Sequence, residues 1–139
     1  MDDFREELSA AVHELTAAGV EPVLLVIELI GADDIKRTQG ISSFEEFRAS
    51  VAGALSSAGE NCPAFFYGET RVCGVLAGFA RLKTFALIER LRRALPLLAQ
   101  SYDCTVTPDF ELVEYAPDSG VAGFVNHLIQ LSTHDRHVA

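Results

Sequence analysis

The stretch Val23-Leu24-Leu25-Val26-Ile27-Glu28-Leu29-Ile30-Gly31-Ala32-Asp33-Asp34-Ile35-Lys36-Arg37-Thr38-Gln39-Gly40 decides how the chain is read. Its first eight residues are β-branched or apolar except for Glu28. A run of that length and character reads as a central strand buried on both faces. Gly31 ends it, and Asp33 to Gln39 fits a short helix closed by Gly40. Glu28 is the most informative residue of the run. A carboxylate in an apolar strand is costly without a partner or water, so it is a ligand, a strand-end acid near solvent, or one paired with Lys36 or Arg71.

Upstream, residues 3–18 predict a helix with Phe4, Leu8, Val12 and Leu15 on one face. Its first turns carry Asp2, Asp3, Glu6 and Glu7, where the helix dipole favours anions. Downstream, Ser42 or Ser43 is expected to cap a long helix with the apolar stripe Phe44, Phe47, Val51 and Leu55. Ala64 to Tyr67 and Arg71 to Leu76 read as two strands around a tight turn at Gly68-Glu69-Thr70. A third helix is expected over residues 80–95, with Phe85, Ile88, Leu91 and Leu95 inward and Pro96 ending or kinking it. Cys104 to Thr107 and Phe110 to Tyr115 are strand-like, with a bulge or edge break expected at Pro108-Asp109. Val121 to Leu131 predicts a last helix, after which the tail is polar.

Length and composition agree with this plan. The chain has 139 residues, 49% hydrophobic and 22% charged, with mean hydropathy +0.21. One domain with a real core follows. It divides into an N-terminal helix (1–19), a core (20–132) and a polar tail (133–139). No apolar run reaches the ~18 residues needed to span a bilayer. The acidic N-terminus is the wrong charge for a targeting peptide, so a cytoplasmic location is expected. Net charge is −9, from 11 basic and 20 acidic residues. That disfavours nucleic-acid and anionic-membrane partners. A nucleotide ligand remains compatible with it. Cys62, Cys73 and Cys104 form no C-x-x-C pair and read as reduced, packed thiols.

The element order, β-αα-β-β-α-β after the leading helix, predicts an α+β sandwich. It has a mainly antiparallel sheet covered by helices, the palm or ferredoxin-like arrangement. Order and spacing together resemble the GGDEF domain of diguanylate cyclases. Within Ile27 to Gly40, the segment Glu28 to Gly40 matches in length the family phrase D-x-D-x-F-K-x-x-N-D-x-x-G. Gly68-Glu69-Thr70-Arg71-Val72 falls on the G-G-D/E-E-F turn. Ile88-Glu89-Arg90-Leu91-Arg92-Arg93-Ala94-Leu95 resembles the helix that follows, and Thr105 to Tyr115 the late strand, with about two extra residues at Pro108-Asp109. The resemblance covers roughly residues 20–132.

The resemblance implies a cyclase site in which two divalent cations, held by carboxylates, bring two GTP molecules together. Carried over residue by residue, Glu28 sits at the first metal carboxylate. Lys36 replaces the asparagine that reads guanine, and Glu45 retains the acid that reads it. Gly68 is the surviving first glycine. Glu69 takes the place of the second, Thr70 of the metal acid and Arg71 of the next acid. A one-residue shift puts Glu69 at the metal position, but then Arg71 falls on the buried Phe. The product-inhibition motif R-x-x-D falls on Gly59 to Cys62 and is absent.

The expected function is therefore a non-catalytic regulatory or protein-interaction module on a degenerate GGDEF-like fold, in bacterial signalling. No catalytic residue, metal site or resident cofactor is expected. Glu28, Lys36, Glu45, Gly68 and Glu69 mark a relic nucleotide site. A protein partner or self-association is the expected output, through the N-terminal helix or the basic helix of residues 80–95. The alternative is a protein that binds GTP or cyclic di-GMP, or a residual cyclase, using Glu28 and Glu45. A third reading is an unrelated α+β adaptor that shares only the element order.

Overall fold

The computed structural model describes residues 2–78 and 81–114. The element order is α1 (Asp2–Ala17), β1 (Pro22–Ile30), α2 (Asp33–Gln39), α3 (Ile41–Ala58), β2 (Ala64–Phe66), β3 (Arg71–Ala77), α4 (Arg81–Gln100) and β4 (Thr107–Glu114). Tyr115, the turn at Pro117 to Gly120, the last helix and the polar tail lie outside the described residues.

Side chains on a strand alternate between faces, and β1 sends apolar groups both ways. Leu25, Ile27 and Leu29 pack with Phe44, Phe47, Val51 and Leu55 of α3 and Leu87, Leu91 and Leu95 of α4. Leu24 and Val26 pack on the other face with Leu8, Ala11 and Val12 of α1. Burial on both faces explains why β1 is apolar without alternation. The four described strands lie in the order β2-β3-β1-β4, all antiparallel. This is the expected α+β architecture. Leu8, Val12 and Leu15 of the α1 stripe pack on the domain's own sheet rather than standing free, while the Phe4 side chain lies outside what is described.

Four local expectations are corrected. First, α3 begins at Ile41, with no side-chain cap hydrogen bond from Ser42 or Ser43. Gly40, at φ 96°, ends α2 and turns the chain straight into α3, so both serines fall inside the first turn.

Second, Pro96 does not end α4, which runs through it to Gln100. Leu95 and Ala99 are fully buried on either side of the proline, and that packing outweighs the lost helical hydrogen bond. Third, Phe85 is 59% exposed. The longer helix centres its buried stripe on Leu87, Leu91, Leu95 and Ala99, which turns Phe85 away from the sheet.

Fourth, β4 is continuous from Thr107 and pairs with β1 in one unbroken register, Leu29 opposite Pro108 and Glu28 opposite Asp109. It lies at the end of the described sheet, where a proline is tolerated without a bulge.

Candidate functional site

The sequence-predicted residues gather around the β2–β3 turn and the end of β1 that faces it. The turn is closed by Tyr67 N–H donating to the Arg71 carbonyl at 3.0 Å. Gly68 at its start has φ 120°, a backbone region that side chains rarely adopt. The Leu29 amide donates to the Thr70 carbonyl at 2.8 Å, which ties the turn to β1.

Glu28 and Arg71 are register partners across β1 and β3. Arg71 Nε donates to Glu28 Oε2 at 3.2 Å. Thr70 Oγ1 donates to the same oxygen, also at 3.2 Å. The Arg71 side chain is 9% exposed and that of Glu28 is 30% exposed. A carboxylate at this depth needs compensation, and the guanidinium supplies it. Of the two partners expected for Glu28, the structure selects Arg71.

Lys36 pairs with Glu69 instead, Nζ to Oε1 at 2.6 Å. The hydrogen bond from Lys36, its charge and that of Arg48 hold the Glu69 carboxyl below its ordinary value. Glu45 forms a third pair, accepting from Arg48 Nη1 at 3.1 Å. Arg48 Nη2 also donates to the Gly68 carbonyl at 3.1 Å. Its guanidinium carbon lies 4.4 Å from the Phe66 ring centroid and 5.6 Å from that of Phe44. Arg48 is the residue that sequence reasoning missed. Its signal was its position, three residues after Glu45 and one turn after Phe44 on α3.

The structure thus brings Lys36 to Glu69, and Glu45 through Arg48 to Gly68. Among the described residues, no hydrogen bond or ion pair joins Glu28 to Lys36 or Glu45. The divalent cations implied by the sequence resemblance need converging carboxylates. Among the described residues no three His, Cys, Asp or Glu groups converge in that way. Glu28 faces a guanidinium and Glu69 faces an ammonium. These residues do not fit a two-metal centre.

Elsewhere, Asp34 pairs with Arg37 within α2. A cavity of about 410 Å³ lies at the far end of β3, lined by Ala11, Leu15, Pro63 and Val75 among others, and does not reach the β2–β3 turn. All three cysteines are free. Burial pushes the Cys62 thiol up to about 11, and burial followed by the neighbouring Cys62 raises that of Cys73.

Superposition on solved structures supplies the fold's relatives. The GGDEF domain of DgcB from Caulobacter crescentus, in complex with c-di-GMP, matches with TM-score 0.66 and 16% identity over 88% of this chain and 76% of that one. The fold is that of GGDEF domains. The active GGEEF domain of a diguanylate cyclase from Vibrio cholerae matches this GGDEF-like chain with TM-score 0.59 and 14% identity, covering 83% of this chain and 76% of that one. The diguanylate cyclase SiaD from Pseudomonas aeruginosa, in complex with its activator SiaC, matches with TM-score 0.63 and 16% identity over 96% of this chain and 54% of that one. No family model and no curated protein matches the sequence. Among the described residues of the GGDEF-like chain, no helix is long and apolar enough to cross a membrane.

Proposed function

We propose that the chain is a non-catalytic regulatory or protein-interaction module in bacterial cyclic di-GMP signalling, built on a GGDEF-like fold whose signature has decayed. One observation carries the reading. The one acid retained at a metal position, Glu28, is bound by the chain's own Arg71, which is 7% exposed. Arg71 aligns with an acid of the signature, so the substitution removes a negative charge and adds a positive one. A divalent cation at Glu28 would meet that guanidinium, and the like charges repel. The Lys36–Glu69 pair supports the same reading, because it neutralises the turn's remaining acid.

Glu69 also places a side chain and a carboxylate where a second glycine would let backbone approach phosphate. In this reading Glu28, Lys36, Glu45, Gly68 and Glu69 are a relic nucleotide site. The chain's output is contact with other proteins in the cytoplasm. The pairing of the cyclase SiaD with an activator protein is a precedent on the same fold.

The test is incubation of the purified chain with GTP and Mg²⁺ or Mn²⁺. No cyclic dinucleotide above background is expected. Turnover that disappears in Glu28→Ala would overturn the proposal.

A second reading, a binder of GTP or cyclic di-GMP, is favoured by Glu45. Its side chain stays 58% exposed at the turn while held by Arg48. Calorimetric titration with GTP, ATP and cyclic di-GMP, with and without Mg²⁺, separates the two. Saturable heat that Glu45→Ala abolishes would select the binder.

A further inference from the structure

α4 has two unlike sides. Leu87, Leu91, Leu95 and Ala99 are buried in the core. On the outer side Lys83, Ala86, Arg90, Arg93 and Leu97 are all exposed, Leu97 to 61%. Their spacing of three and four residues lines them up in one stripe along the helix. Elsewhere the described cationic side chains are engaged: Lys36 with Glu69, Arg37 with Asp34, Arg48 with Glu45, Arg71 with Glu28 and Arg92 with Glu89. Lys83, Arg90 and Arg93 form no ion pair among the described residues. On a chain of net charge −9 this is a basic stripe without an ion pair among the described residues, bordered by the acids Glu60 and Glu89.

The complement stands on α1. Glu7, Ala10, Glu14 and Ala17 are exposed at the same three- and four-residue spacing. Neither glutamate forms an ion pair among the described residues. Leu8 and Val12 hold the other side of α1 to the sheet, so the acidic stripe points outward. Each stripe carries an alanine between its charges, Ala10 on α1 and Ala86 on α4, which lets two helices approach closely. The stripes of one molecule cannot meet, because α1 and α4 cover opposite faces of the sheet.

We infer that the α1 stripe of one copy docks on the α4 stripe of a second copy. Glu7 and Glu14 face Lys83, Arg90 and Arg93, and Leu97 is covered at the end. A cavity of about 240 Å³, lined by Ser57, Glu60, Lys83, Ala86 and Arg90 among others, adjoins the receiving face. The contact joins two different patches, so it builds a closed ring or an open chain of copies rather than a two-fold dimer through one patch. The inference rests on the interaction-module reading and deepens it. The cyclase assay bears on catalysis and the experiment below bears only on this surface, so the two fail separately.

The experiment is sedimentation velocity across a concentration series. Association is expected, weakening about tenfold between about 0.05 M and about 0.5 M salt, because exposed charge pairs are screened. Arg90→Glu with Arg93→Glu gives one variant, and Glu7→Lys with Glu14→Lys gives another. Each alone is expected to be monomeric, since its two stripes then carry like charges. Mixing them restores association, because the reversed stripes complement each other. All four positions are exposed, and circular dichroism checks that each variant is folded. A wild-type monomer at high micromolar concentration and low salt overturns the inference. So does association that both variants retain, or a mixture that stays monomeric. A wild-type monomer that binds polyglutamate through Arg90 and Arg93 also overturns it, and assigns the stripe to a different acidic protein.

Discussion

Arg71 and Glu28 face each other as register partners on β3 and β1, with Nε 3.2 Å from Oε2. The pair makes the end of β1 a structural feature. Arg71→Ala leaves the Glu28 carboxylate half-buried with Thr70 as its remaining partner shown at that oxygen. Loss of about 1–3 kcal/mol is expected, below the full cost of breaking a deeply buried pair because Glu28 keeps some solvent. Urea unfolding monitored by circular dichroism measures it. No loss would show that the pair is an idle surface contact.

The corrected face of α4 makes a paired prediction. Leu91 is 1% exposed and Phe85 is 59% exposed. Leu91→Ala is expected to cost about 2–5 kcal/mol, and Phe85→Ala within about 0.5 kcal/mol. Equal costs in thermal or urea unfolding would contradict the helix orientation.

Glu69 titrates low because Lys36 donates to it. A depressed carboxyl pKa stabilises the fold at neutral pH. That contribution is lost as pH falls through the folded value, below the ordinary carboxylate range. Lys36→Ala is expected to return the Glu69 pKa toward the ordinary value and to flatten this acid-side dependence. Carboxyl NMR titration of the two proteins reads the shift directly.

The thiols make an alkaline prediction. Burial raises both Cys62 and Cys73, so each stays protonated in the folded state where an unfolded thiol already ionises. Their contribution is complete below the unfolded thiol pKa and is lost as pH rises toward about 11 for Cys62. Iodoacetamide near pH 8 is expected to label Cys104 first, since it alone is partly exposed. Mass spectrometry of timed samples reports the order, and early labelling of Cys73 would contradict it.

The element order, the hairpin and the buried stripe of α3 were legible in the residues themselves. Period-two and period-3.6 patterns, glycine stops and a short turn are local signals, and each acts within a few residues. The sequence alone also indicated that Glu28 needs a partner or water, because an uncompensated buried carboxylate is costly in any fold. Which partner it takes was a tertiary matter. Lys36, eight residues along the chain, pairs with Glu69, while Arg71 arrives from another strand through the β1–β3 register. The same holds for Arg48, whose reach to Gly68 depends on α3 packing over the hairpin. Phe85 was misassigned because a helical stripe fixes only relative angles between residues, and contact with the sheet decides which angle is buried. Pro96 and Pro108 disfavour local hydrogen bonds, yet the core around Leu95 and Ala99 and the position of β4 at the end of the described sheet outweigh that preference.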